Sequence, residues 1–248
     1  MNTRDVLIAP SSPLRNLPHS ADLRTKVFFD GIRYSIEIAD LAYSRLRETL
    51  QGISKVEDEE LRANEYVKVV ADAWLLVDSL NRLRALCVKV PKVSEAPYCV
   101  SLVQALAGMK VARNSVQHLD TRIEKIVGRK QPVWGVIGWV VVDQNPPKGG
   151  EVHSFVPGSF RPAEHELEEI DGEQFEMPID SITLFDGEST HRLSRLMKAT
   201  RSFVRELESD LLTRFDPSEP SGRDLQITGH FSFNGSSEPA QKITIALK

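Results

Sequence analysis

Apolar residues recur at alternating steps of three and four along the first half of the chain, which is the spacing of one helix face. One such stripe comprises Phe29, Ile32, Ile36, Ala39, Tyr43, Leu46, Leu50 and Ile53. Another comprises Tyr66, Val69, Ala73, Leu76, Leu80, Leu83 and Cys87. The spacing predicts two long helices. The acidic residues 57–60 between them suit a connection and the first turn of the second helix, where negative charge opposes the positive end of the dipole.

The first predicted helix carries a second apolar stripe on its opposite side. This stripe consists of Val27, Tyr34, Ile38 and Leu41. The N-terminal half of this helix is therefore apolar almost all round and is expected to lie between partners. We therefore predict a homodimer that forms through the helical half of the chain.

A third helix is predicted from Tyr98 to Val127, after a break bracketed by Pro91 and Pro97. Its apolar seam contains Leu102, Leu106, Met109, Val116, Ile123 and Val127. The same stepping places two charged residues, Arg113 and Asp120, on the face that is expected to meet the core. Charged groups at such positions need each other, a polar partner from another helix, or a solvent-filled cleft.

The pattern changes from helical to extended at Pro132. Residues 133–142 are rich in β-branched and aromatic side chains and predict a central strand, with residues 152–156 returning as a hairpin. Further strands are expected at 179–185, 225–233 and 242–247, and a long helix at 189–215. The predicted fold class is α+β: an extended arm over 1–21, an antiparallel helical bundle over 22–128, and a mostly antiparallel sheet with one long helix over 129–248.

Composition places the chain among ordinary globular proteins. Of its 248 residues, 41% are hydrophobic and 27% charged, and the net charge is −4. No apolar run approaches the roughly 18 residues needed to span a bilayer, and the N-terminus has no apolar signal core. We expect a cytoplasmic protein without membrane contact, in which any nucleic-acid binding depends on a local basic patch.

Motifs for nucleotide, zinc and α/β-hydrolase chemistry are absent from the sequence. There is no phosphate-binding glycine loop, no His-Glu-x-x-His, no paired Cys-x-x-Cys and no Gly-x-Ser-x-Gly. Cys87 and Cys99 are too few for a disulfide framework and are expected to be buried thiols. The sequence therefore predicts no metal and no cofactor.

Within the third predicted helix, Arg113-Asn114-Ser115-Val116-Gln117-His118 resembles the HEPN family of RNases and toxins. The family signature is an arginine, a polar residue that is often asparagine, three variable positions and a histidine. The resemblance implies a helical bundle that dimerises and cleaves RNA without a metal. It also implies that Arg113 binds the scissile phosphate, that His118 transfers protons, and that Asn114 orients His118. Such roles suit an arginine fork and an imidazole.

Geometry on an ideal helix limits what one copy of the motif can do. Asn114 and His118 project side by side, whereas Arg113 and His118 are about 140° apart. Arg113 and His118 converge only if Arg113 bends round or a second subunit contributes. A purely structural alternative is an ion pair of Arg113 with Asp120 or with a neighbouring helix. Asp78 is either a polar helper of the motif or the partner of Arg82, four residues later.

The sequence is compatible with two functions. The first is a dimeric HEPN-like RNase, a toxin or defence component that an inhibitory protein partner holds in check. The second is a non-catalytic helical interaction or RNA-binding protein. The helix at 189–215 adds a candidate RNA surface, because its basic residues share the face opposite the apolar stripe. These residues are His191, Arg195, Lys198, Arg201 and Arg205, and the alternative is a solvated face.

Overall fold

The computed structural model describes residues 6–56, 58–90, 92–142, 149–159, 175–176, 178–215 and 224. Across these residues the chain forms six helices and one four-stranded antiparallel sheet. The predicted mixture of helix and sheet, with long helices first, is confirmed. The strands expected at 225–233 and 242–247 lie outside the described residues.

The two longest helices form an antiparallel hairpin that makes the most extensive packing interface in the described chain. They are α1 (Leu23–Ile53) and α2 (Glu59–Cys87), as the apolar spacing predicts. Asp22 begins α1 by accepting a bond from the backbone N–H of Thr25 at 2.9 Å. The predicted seams of both helices are buried, for example Ile36 and Leu46 on α1 and Leu76 and Leu80 on α2.

The prediction of a single third helix from Tyr98 to Val127 is wrong. The structure has three shorter helices there, α3 (Pro97–Ala105), α4 (Met109–Gln117) and α5 (Leu119–Arg129). The first break includes Gly108, which lies against His191: a Cβ at Gly108 would meet that ring at 3.1 Å. The second break is at His118, whose φ of −112° and ψ of 38° leave the helical region. Periodicity misses both breaks because the apolar spacing continues across them.

The sheet has the strand order β2-β1-β3-β4. Its strands are β1 (Val136–Val142), β2 (Gly150–Phe155), β3 (Ile179–Phe185) and β4 (Thr190–Arg192). β1 lies in the interior of the sheet, as its β-branched composition predicts, and forms the expected hairpin with β2. Gly135 enters β1 with a φ of +77°, and a Cβ there would meet the carbonyl oxygen of Phe185 at 2.2 Å.

The sixth helix, α6 (Leu193–Arg214), joins the sheet to the helical half. It packs on α3 and on β3, and one cluster of buried residues runs from α1 and α2 through the sheet to α6. Ser194 lies at this junction. Its hydroxyl accepts a bond from the Tyr43 hydroxyl at 2.9 Å and another from the backbone N–H of Ile182 at 2.9 Å.

The N-terminal segment is more closely packed than the extended, loosely packed arm that its prolines suggest. Residues 6–21 form successive turns, and Ile8, Leu14 and Leu17 are buried in the core. Prolines favour turns as readily as extended chain, and the three apolar side chains between them supply the burial that fixes the turns.

Cys87 and Cys99 are both buried free thiols, as expected. The neighbouring Cys99 thiol and burial both raise the pKa of Cys87. Among the described residues, no helix has the length and apolar character that crossing a membrane requires.

Candidate functional site

The motif lies on α4, which packs against α2. Met109, Ala112 and Ser115 are the buried positions of this short helix. Their spacing puts Arg113 and Asn114 on its flanks, where both are half-buried. His118 follows the last residue of α4 and is exposed. Packing on α2 therefore holds the start of the motif, while the break holds its histidine at the surface.

Arg113 is fixed by α2 through a single nitrogen. Its Nε donates to Oδ1 of Asp78 at 2.7 Å, while Arg82 binds the other carboxylate oxygen, Oδ2, at 2.6 Å. Within the described chain the terminal nitrogens of Arg113 form no hydrogen bond. About a third of the Arg113 side chain, 33%, is exposed. The guanidinium is thus anchored at Nε, and its terminal nitrogens have no hydrogen-bond partner among the described residues.

Asn114 and His118 stay one helical turn apart despite the break. The backbone N–H of His118 donates to the Asn114 carbonyl oxygen at 3.3 Å. In the part of the chain that the structure describes, neither side chain forms a hydrogen bond or ion pair.

One alternative was an ion pair between Arg113 and Asp120, and the structure does not contain it. Asp120 is exposed in the first turn of α5, where a carboxylate suits the positive end of the helix dipole. Asp78 binds Arg82, as one alternative expected, and it also contacts the motif, because its two oxygens bind Arg82 and Arg113 separately. The charged positions of the predicted seam thus have different neighbours, since the seam is divided between two helices.

Sequence reasoning placed one face of α5 in the core, and this is wrong. The structure buries none of its residues, and Ile123 and Val127 are 42% and 63% exposed. The opposite side of α5 holds a basic row that sequence reasoning missed. Its members are Arg122, Lys125 and Arg129. Their spacing of three and four was the signal, hidden by the assumption of one continuous helix.

These three cations converge on a single carboxylate. Arg122, Lys125 and Arg129 lie 3.1, 2.5 and 3.1 Å from the same oxygen, Oε1 of Glu188. Bonding to Lys125, followed by the charges of Lys125 and the two arginines, holds the pKa of Glu188 below its usual range. One carboxylate therefore ties α5 to the turn before β4, and the cluster keeps an excess of positive charge.

The basic band expected on the last helix is largely paired or buried. Lys198 binds Asp180 at 3.2 Å, and Arg201 binds Glu176 at 3.0 Å. Arg205 donates to the Ser202 hydroxyl at 3.1 Å. Arg195 is exposed, and it also has an interaction within the molecule.

His191, which the helical spacing added to this band, belongs to β4 and is buried. Its Nε2 lies 3.0 Å from Oδ2 of Asp186, whose Oδ1 accepts the backbone N–H groups of Glu188 and Ser189. Burial raises the pKa of Asp186, but these bonds lower it more, so that it stays below its usual value. The pair fixes the turn that carries Glu188.

The apolar stripe expected to mediate dimerisation is in part exposed. Val27, Tyr34 and Leu41 are 61%, 45% and 45% exposed. A cavity of about 820 Å³ lies at this side of α1, lined by the N-terminal turns, Arg33, Tyr34 and Asp224. Arg33 binds Asp224 through both terminal nitrogens, at 3.0 and 2.6 Å, and the Tyr34 hydroxyl donates to the same carboxylate at 2.8 Å. Asp224, which follows α6 in the sequence, thus contacts α1 at this point.

Among the described residues, no group of three histidine, cysteine or carboxylate side chains is arranged to hold a metal ion. In comparisons with known proteins, no protein-family model, curated protein or solved structure matches the chain.

Proposed function

We propose that the protein is a metal-independent endoribonuclease of HEPN type, with Arg113, Asn114 and His118 as its reacting residues. The single observation that carries the proposal is the anchoring of Arg113. Asp78 binds its Nε alone, and the outer guanidinium edge keeps two nitrogens for a phosphate. A guanidinium fork binds two phosphate oxygens at once, which a structural ion pair of the same arginine would not require.

The reaction needs one proton acceptor and one anion-stabilising group. His118 takes the proton of the ribose 2′-hydroxyl, and the 2′-oxygen forms a bond to phosphorus. The bond between phosphorus and the 5′-oxygen then breaks, and the departing oxygen takes up a proton from solvent. Arg113 offsets the charge that develops on the phosphate oxygens, and Asn114 orients the imidazole. The products are a 2′,3′-cyclic phosphate and a 5′-hydroxyl.

A second copy of the chain completes the site. Arg113 is held towards α2, whereas His118 lies at the surface beyond α4, so that Arg113 of one copy works with His118 of the other. The apolar face of α5 is the surface for this dimer, because Ile123 and Val127 begin five residues after His118 and are exposed. Pairing of α5 with its copy brings the two motif ends together.

The direct test is cleavage of a single-stranded RNA in EDTA. We expect the purified protein to cleave RNA but not DNA of the same sequence, because DNA lacks the 2′-hydroxyl. His118→Ala should abolish cleavage with little change in melting temperature. His19→Ala is the matched control, since His19 is an exposed histidine far along the chain from the motif. Equal activity in the wild type and His118→Ala would mean contamination and would remove the proposal.

Arginine variants separate phosphate binding from the ion pair. Arg113→Lys keeps the charge but cannot bind Asp78 through Nε and also present a fork, so cleavage should fall by about 100-fold. Arg82→Ala removes the other partner of Asp78 and should leave cleavage within about twofold. Equal losses in both variants would assign the ion pair a structural role only.

A second candidate, favoured by the exposed apolar face of α5, is a non-catalytic helical interaction protein. It predicts the same dimer but no cleavage, and it tolerates any polar residue at position 118. A toxin or defence role in the cytoplasm, under control of an inhibitory partner, belongs to the first proposal. Loss of viability on expression of the wild type, but not of His118→Ala, would support that role.

A further inference from the structure

α5 presents a row of basic groups that starts at the proposed proton acceptor. His118 directly precedes the helix, and Arg122, Lys125 and Arg129 follow it at steps of four, three and four. On an ideal helix the three cations lie within about 60° of one another, and His118 is the residue directly before the first turn. The acidic residues of α5, Asp120 and Glu124, lie on the other side. The row therefore extends from His118 along about three turns of one face.

Charge at this row is not balanced by the protein around it. Three cations share Oε1 of Glu188, and among the described residues none of them binds a second carboxylate. Like charges held around one oxygen repel each other, and a further anion beside them lowers that repulsion. Lys125 and Arg129 remain 47% and 45% exposed, so that such an anion reaches them from solvent.

We propose that this face of α5 binds the phosphate backbone of the RNA and leads the strand to His118. The inference rests on the proposed function, which fixes where the RNA strand lies. The face of α5 takes the place of the basic band on α6 as the RNA-binding surface. Three cations about one helical turn apart suit successive phosphates of an extended single strand. In this arrangement Glu188 holds the side chains in one row and competes with RNA for them.

Binding is measured by fluorescence anisotropy with a 2′-O-methyl RNA, which lacks the reacting hydroxyl and is not cleaved. Changing Arg122, Lys125 and Arg129 to glutamine should make the slope of log affinity against log salt shallower by about two units. A control with equal charge change replaces three exposed cations on other surfaces, Arg24, Lys68 and Lys89, with glutamine. It should leave the slope within about half a unit. Equal shallowing in both variants, or no binding by the wild type, would overturn the inference.

The variant Glu188→Gln distinguishes a row of cations that binds RNA from a set of ion pairs that only holds α5 to the turn before β4. The amide keeps hydrogen bonding to the cations but removes the competing charge, so RNA binding should tighten by about threefold or more. If the ion pairs of Glu188 only hold α5 in place, the variant should have a lower melting temperature and unchanged or weaker RNA binding. That result would overturn the inference.

Cleavage kinetics distinguish a failure of the proposed catalytic role from a failure of the proposed RNA-binding surface on α5. The triple glutamine variant should raise KM while kcat at saturating RNA stays within about twofold, because His118 and Arg113 are intact. His118→Ala should bind the 2′-O-methyl RNA as the wild type does. If the slope changes as expected but His118→Ala still cleaves, the proposed catalytic role fails while the binding surface holds.

Discussion

The Nε of Arg113 on α4 donates to Oδ1 of Asp78 on α2 at 2.7 Å, and Arg82 occupies the other oxygen of the same carboxylate. This relationship separates two properties of Arg113. Its position depends on a long helix whose apolar seam is buried in the core, while its terminal nitrogens form no hydrogen bond within the part of the chain that the structure describes. A carboxylate that binds Nε alone is a positioning group for the guanidinium.

A double-mutant cycle tests which carboxylate Arg113 needs. Because the pair is partly exposed, we expect a coupling of about 0.5–1 kcal/mol between Arg113→Leu and Asp78→Ala in the free energy of unfolding. Between Arg113→Leu and Asp120→Ala the coupling should be near zero. Urea denaturation of the single and double variants measures both. A larger coupling to Asp120 than to Asp78 would contradict the ion pair between Arg113 and Asp78.

The Asp186–His191 pair predicts how stability depends on acid. The folded chain keeps the pKa of Asp186 below the ordinary value of 3.8, so the unfolded chain takes up a proton first and acid favours unfolding. The stabilisation is complete above that value and is lost as the pH falls through the lower folded pKa. At neutral pH, Asp186→Asn should cost about 2–3 kcal/mol. The difference from the wild type should be constant above about pH 5 and should shrink as the pH is lowered below about 4, as followed by urea unfolding. A constant difference would contradict the assignment.

Two variants locate the dimer surface. Ile123→Gln with Val127→Gln removes the apolar face of α5 without adding charge, and should raise the dimer dissociation constant by at least about 100-fold. Val27→Gln with Leu41→Gln makes the matched change on α1 and should leave the dimer intact. All four side chains are exposed in one chain, so folding stability should change by less than about 0.5 kcal/mol. Light scattering at micromolar concentration that shows the reverse pattern would place the dimer on α1 instead.

Sequence periodicity predicted the parts of the fold in which one apolar face meets one partner. The α1 and α2 seams and strand β3, expected at 179–185 and found at Ile179–Phe185, are of this kind. It failed at Gly108 and His118, because the spacing continues across both breaks while the packing partner changes, from α6 to α2 at Gly108 and from α2 to Glu188 at His118. Local spacing carries no information on such a change of partner.

The sequence revealed the motif of the candidate site, but it could not predict which side chains the motif contacts. The sequence offered Asp120 as a partner of Arg113 and Asp78 only as a polar helper of the motif, and the packing of α4 on α2 is what brings Asp78 to Arg113. The basic band on α6 also looked continuous in sequence. Its carboxylate partners, Asp180 and Glu176, come from the sheet region, which no helical spacing relates to α6.

The most direct test of the composite RNase site is complementation between two inactive variants. Arg113→Ala and His118→Ala carry different affinity tags and are co-expressed, and the mixed dimer is purified through both tags. In the mixed dimer, one site pairs the intact Arg113 with the intact His118 of the other copy, and the second site lacks both. We predict that each variant alone does not cleave RNA in EDTA, and that the mixed dimer recovers about half of the wild-type rate per dimer. A mixed dimer as inactive as its parents would contradict the composite site, and cleavage by either parent alone would contradict the catalytic assignment.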